Sequence, residues 1–132
     1  MKIFHILIQA RLDSRRLPRK VLKKMDETTV LKCLIDRLKA LKVKNKVVIL
    51  VPNDKKNVYL YNYVKSLGVT VFKGSNKNVL DRYYKAAKYF SADSIIRITS
   101  DCPFIDLSIL TNMMKNFKRK NCDYYSNIHP RT

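Results

Sequence analysis

Ile3-Phe4-His5-Ile6-Leu7-Ile8 runs straight into Gln9-Ala10-Arg11-Leu12-Asp13-Ser14-Arg15-Arg16-Leu17-Pro18-Arg19-Lys20. The first six residues form a short apolar, β-branched run of the kind that makes a buried strand. The twelve that follow hold Arg11, Arg15, Arg16, Arg19 and Lys20, with Pro18 to stiffen the turn. A strand that ends in such a loop is built to meet a polyanion, because open α/β sheets bind ligands at the carboxyl ends of their strands. Two unit charges 4 Å apart interact by roughly 4 kcal/mol at an effective dielectric of about 20, so a few converging cations can dominate binding.

The same alternation continues outward. Leu31, Leu34, Ile35, Leu38 and Leu41 recur at helical spacing, with Thr28 or Thr29 as the expected N-cap. Residues 46–51 form a second continuous apolar run, suited to a strand covered on both faces. Asp54 is placed to cap the next helix, which carries Leu60, Val64 and Leu67 inward and ends at Gly68. Residues 69–72 predict a third strand and 73–76 a loop. Val79, Leu80, Tyr83, Ala86, Ala87 and Phe90 predict a third helical stripe, 94–98 a fourth strand, and Leu107, Leu110, Met113, Met114 and Phe117 a last helix. Strands that alternate with helices imply a mainly parallel sheet with helices on both faces, a three-layer Rossmann-like α/β fold.

The bulk composition fits one domain over residues 1–132, with 46% hydrophobic and 29% charged residues. No apolar run nears the roughly 20 residues of a membrane-spanning helix, so no membrane role is expected. No signal-peptide pattern is present, and the expected compartment is the cytoplasm. Three cysteines, widely spaced and without a CxxC pair, suggest neither zinc nor a disulfide framework. The net charge of +18 raises nucleic acid as a partner. The lysines are dispersed along the chain with no aromatic-basic interleaving, which favours a solvated surface over a nucleic-acid stripe.

Three segments carry candidate chemistry. In the first loop, Arg11, Arg16 and Lys20 are candidate phosphate ligands: arginine offers a planar fork and lysine a mobile point charge. In Arg97-Ile98-Thr99-Ser100-Asp101-Cys102-Pro103-Phe104-Ile105-Asp106, Asp101 follows the fourth strand and can hold Mg²⁺ against phosphate oxygens. Asp106 reads as a helix cap. In Gly74-Ser75-Asn76-Lys77-Asn78-Val79-Leu80-Asp81-Arg82, a helix start could face a nucleotide. There Arg82 either serves that site or pairs with Asp81 or another surface acid. Cys102 lacks a partner base and is not read as a nucleophile.

Taken together these segments resemble the cytidylyltransferase superfamily, of the spore coat polysaccharide biosynthesis protein F type. They are more distantly similar to the cytidylyltransferases of 3-deoxy-manno-octulosonate and acylneuraminate. Ile8–Leu22 match I-Q-A-R-x-x-S-x-R-L-P-x-K-V-L, Val79–Ala87 match V-L-D-R-Y-Y-x-A-A, Arg97–Asp106 match R-I-T-x-D-C-P-x-I-D, and Asp123–Asn127 match D-Y-x-S-N. Where relatives commonly carry glycine, this chain has Asp13, Arg19 and Ser100.

The resemblance implies a nucleotide-diphospho-sugar transferase fold of which 1–132 is the N-terminal, nucleotide-binding portion. It also implies transfer of a cytidylyl group from CTP to a sugar or sugar acid, with release of pyrophosphate. Arg11, Arg16 and Lys20 would then hold the triphosphate and Asp101 the Mg²⁺. Ala10, Ser14, Gly74, Ser75, Asn76, Arg82, Thr99 and Ser100 would complete the nucleotide site. Relatives of this type often form homodimers. The rival expectations are a nucleotide-sugar glycosyltransferase of similar fold, a catalytically inactive remnant and a basic nucleic-acid-binding module.

Overall fold

The computed structural model describes residues 3–11, 24–25, 28–99 and 105–120. Its centre is a four-stranded sheet of β1 (Phe4–Gln9), β4 (Asn45–Pro52), β5 (Thr70–Gly74) and β6 (Ser94–Thr99), in the order β5-β4-β1-β6. All three pairings are parallel. The connections carry α1 (Val30–Leu38), α2 (Val58–Ser66) and α3 (Val79–Tyr89), and α4 (Leu107–Lys120) follows β6. A short antiparallel pair, β2 (Lys24–Met25) with β3 (Thr28–Thr29), precedes α1.

The strand parity set in β1 decides which helix goes where. Phe4, Ile6, Ile8 and Ala10 point to one face, where α1, α2 and α4 cover them with Leu31, Leu34, Ile35, Leu38, Leu60, Val64, Leu110 and Met114. Leu7 points to the other face, where it meets Val48, Leu50, Tyr83 and Ala86 beneath α3. Both faces of the second half of β4 are therefore apolar, as a parallel sheet between helical layers requires, while β1 sets Leu7 between His5 and Gln9 on its α3 face. Each fully buried Leu or Ile contributes roughly 1.5–3 kcal/mol. The spacing of Leu31, Leu34, Ile35 and Leu38 along one stripe is what fixes α1 to the sheet.

The expected elements are present, with three differences. Thr28 and Thr29 lie in the short strand β3, and α1 begins directly after them. A two-residue strand has no periodicity to read. Asp54 caps a 3₁₀ turn at Lys55–Asn57 ahead of α2, and its carboxylate accepts from the Asn57 backbone N–H at 3.1 Å. Leu80, expected on the inward stripe of α3, is 80% exposed. Its neighbour Val79 takes the inward place, because consecutive helical positions lie about 100° apart and only one of the two can face the sheet. Gly68 ends α2 with φ of 77°, a left-handed conformation that glycine adopts without steric cost. The segment Asp123–Asn127 lies outside the described residues.

Candidate functional site

Because the sheet is wholly parallel, the ends of all four strands converge on one edge. In register, Gln9 faces Leu50 and Thr99, and Pro52 faces Gly74. Adjacent strands lie about 4.8 Å apart, so Thr99 and Gly74 bound an edge roughly 14 Å wide. Ala10 and Arg11 leave β1 at its centre. Ala10 is buried and its backbone N–H donates to the Leu50 carbonyl at 3.0 Å, which holds the chain against β4 where it leaves β1.

The Gly74 corner is built from its own residues. The Asn53 N–H donates to the Gly74 carbonyl at 2.8 Å and ties the ends of β4 and β5 together. The Ser75 hydroxyl accepts from the Asn78 N–H at 3.1 Å, and the Asn78 side chain caps α3 by accepting from the Asp81 N–H at 3.0 Å. Arg82, wholly buried, lies against Gly74 and donates through Nε to the Ser75 carbonyl at 2.8 Å. A Cβ on Gly74 would fall 2.5 Å from Arg82 Cγ and 3.3 Å from its Cα. Glycine is needed here for close approach. Asp81 pairs with Lys85 at 3.3 Å, so the surface pairing weighed for Arg82 goes to a different cation. The capped N-terminus of α3 faces the same strand edge, where its exposed backbone N–H groups favour negative charge.

Of the residues expected from sequence, the structure brings Ala10, Arg11, Gly74, Ser75, Asn76, Arg82 and the backbone of Thr99 to this edge or its immediate loop. Ser14, Arg16, Lys20, Ser100 and Asp101 lie outside the described residues. Asp106 caps α4 as expected, accepting from the Ser108 and Ile109 N–H groups at 2.9 and 3.1 Å. Among the described residues no three His, Cys, Asp or Glu side chains cluster as a metal site would require.

A second grouping escapes sequence reading. Gln9 and Arg97 share the α3 face of the sheet, and Arg97 stacks over the Tyr83 ring at 5.1 Å. Burial pushes the Tyr83 hydroxyl above its ordinary pKa, while Arg97 and the Gln9 backbone draw it the other way. The sequence carried a signal for this in the alternate positions of β1 and β6, but the pairing of strands distant in the chain had to be known first. The stack keeps a cation directly beneath the carboxyl edge.

Comparison with known proteins agrees with this geometry. The model of the cytidylyltransferase family matches residues 5–131. An uncharacterized protein of Methanocaldococcus jannaschii is 40% identical over 126 residues, covering 96% of this chain and 51% of that protein. The spore coat polysaccharide biosynthesis protein SpsF of Bacillus subtilis is 33% identical over 122 residues, 89% of this chain and 51% of SpsF. A solved cytidylyltransferase from Leptospira borgpetersenii superposes with a TM-score of 0.83 at 39% identity, over 90% of this chain and 50% of its own. CMP:2-keto-3-deoxy-manno-octonic acid synthetase, solved with CTP, shares the fold at a TM-score of 0.79 and 19% identity, over 92% of this chain and 49% of its own. The chain spans about half the length of the curated relatives it matches. A parallel sheet whose carboxyl edge gathers Ala10 and Arg11, the Gly74 corner and the end of β6, in a chain matched by the family over residues 5–131, places this chain in the cytidylyltransferase family.

Proposed function

We propose that this chain is the nucleotide-binding portion of an enzyme that transfers a cytidylyl group from CTP to a sugar or sugar acid and releases pyrophosphate, in polysaccharide biosynthesis. The observation that carries this reading is the shared edge: Ala10 and Arg11, the Gly74–Asn76 corner with Arg82, and Thr99 all belong to one rim of the sheet. The names of the SpsF relative and of the CTP-bound synthetase supply the chemical direction.

On this reading Arg11, Arg16 and Lys20 grip the triphosphate, and Ser14 adds a hydroxyl donor. Gly74, Ser75, Asn76, Thr99 and Ser100 surround the nucleoside, and Arg82, buried against Gly74, holds that corner in place. An acceptor oxygen attacks the α-phosphorus in line. The bond from the α-phosphorus to the bridging oxygen breaks, pyrophosphate leaves with the electron pair, and the acceptor proton passes to solvent. Asp101 would hold Mg²⁺, which supplies charge neutralisation on the phosphates when bound. Positioning and charge carry the rate, with no covalent enzyme intermediate. The cytoplasm, where CTP is made available, is the proposed compartment, and a homodimer the proposed assembly.

Calorimetric titration with CTP and MgCl₂ tests the site. A charge-assisted contact to phosphate contributes about 1.5–3 kcal/mol, so Arg16→Ala and Lys20→Ala should each weaken binding at least about tenfold. Equal affinity in the wild type and both variants would defeat the phosphate-loop assignment.

A further inference from the structure

The loop from α1 to β4 and the outer side of α4 enclose a groove of about 480 Å³. The loop wall, Ala40–Val43, lies just before the amino end of β4, a strand whose eight residues run roughly 23 Å to the carboxyl edge where the nucleotide site is proposed. Its floor is apolar. Leu41, Val43 and Leu107 pack on their inner sides against the main core, so the floor is held by the fold. Its polar lining is Lys42 from the loop and Thr111, Asn112 and Lys115 from α4.

Among the described residues neither Lys42 nor Lys115 has a carboxylate within 4.0 Å. The acids on the flanking elements are engaged elsewhere. Asp36 pairs with Lys32 and Lys39, and Asp106 caps α4. Two lysines lining one groove with an apolar floor suit a ligand that is doubly negative at one end and apolar at the other. A carboxylate offers one charge. A phosphomonoester offers about two, with oxygens to accept from lysine, hydroxyl and amide donors. The volume falls within the range of small-molecule sites.

We propose that this groove is a second binding site, for a phosphomonoester that carries a small apolar group, distinct from the nucleotide edge. Phenyl phosphate is a probe of this class, with inorganic phosphate and phenol as its two halves. Titration is followed by amide NMR shifts at Val43, Thr111 and Asn112, which report the groove and not the basic loop. Phenyl phosphate should move these amides saturably and bind at least tenfold tighter than either half. Lys42 and Lys115 are exposed, so Lys42→Glu with Lys115→Glu leaves the core intact and should weaken phenyl phosphate at least tenfold. The milder Lys42→Gln with Lys115→Gln should fall between. Inorganic phosphate matching phenyl phosphate at these amides would mark only a generally basic surface and overturn the proposal. So would an unchanged affinity in the charge-reversed variant, or a response confined to residues outside the groove.

Discussion

The closest packing in the candidate site is the contact of Gly74 with Arg82, and replacing Gly74 by alanine tests it directly. The added methyl would sit 2.5 Å from Arg82 Cγ, well inside van der Waals contact, and 3.3 Å from the Arg82 Cα. Arg82 is wholly buried and anchored through Nε to the Ser75 carbonyl, so it has no free direction in which to yield. Overpacking of this kind costs about 1–3 kcal/mol. At about 4 °C per kcal/mol for a chain of this size, Gly74→Ala should lower Tm by roughly 4–12 °C. Gly68→Ala is the control. No atom lies within 4 Å of a Cβ there, and only the left-handed backbone, with φ of 77°, resists it. The decisive measurement is a double-mutant cycle by thermal unfolding. Arg82→Ala removes the Cγ that the new methyl would strike, so Gly74→Ala in that background should lose most of its cost, a coupling of about 1 kcal/mol or more. On the proposed function, Gly74→Ala should also weaken CTP binding while Gly68→Ala leaves it unchanged. An equal penalty for Gly74→Ala with and without Arg82 would refute the claim that close approach is what this glycine serves.

Two further perturbations follow from buried or capped groups. His5 is 7% exposed and its Nδ1 finds no hydrogen-bond partner among the described residues. Burial, and then Lys46, lower its pKa below 6.5 against the pull of Asp93. The unfolded chain therefore binds a proton that the folded chain resists, so stability is full above 6.5 and is lost as pH falls from there through the folded value. Tm measured from pH 8 to 5 should drop on the acid side, and His5→Phe should flatten that limb; an identical limb in the variant would dismiss His5 as its source. Asp106→Ala removes the side-chain cap of α4 and should cost about 0.5–2 kcal/mol in urea unfolding, whereas Asp106→Asn, which keeps an acceptor, should lose much less.

Much of the fold was legible because its strands are short, largely apolar runs while its helices are amphipathic. Residues 46–51 could be placed as a strand covered on both faces without knowing what covered it. Leu80 shows where such reading stops. Positions 79, 80, 83, 84, 86, 87 and 90 are all apolar or aromatic, and they wrap too much of α3 for periodicity alone to choose a face. Tertiary contact chose: Val79, Tyr83 and Phe90 went inward, and Leu80 and Tyr84 were left at 80% and 62% exposure. Arg82 failed to stand out for a similar reason. Beside Asp81 in sequence it looks like half of a surface pair. Only the turn that brings Gly74 under it removes it from water.

The two glycines of the chain also say what kind of site this is. Gly68 is committed to the end of α2 and Gly74 to the Arg82 contact, which leaves none between Gln9 and Lys20. Phosphate loops rich in glycine cradle their ligand with successive backbone N–H groups, which need positive φ and close approach. A loop without glycine gives up much of that cradle and must rely on side chains. This one holds Arg11, Arg15, Arg16, Arg19 and Lys20. On the proposed reading the affinity for triphosphate is thus carried by long cationic side chains. Their grip is screened by salt over a distance of about 8–10 Å and costs rotamer entropy on binding. The Gly74 corner is the opposite case, a rigid assembly of capped helix, buried guanidinium and tied strand ends. On that reading the site would divide its labour between a fixed wall that defines shape and charged side chains that supply attraction.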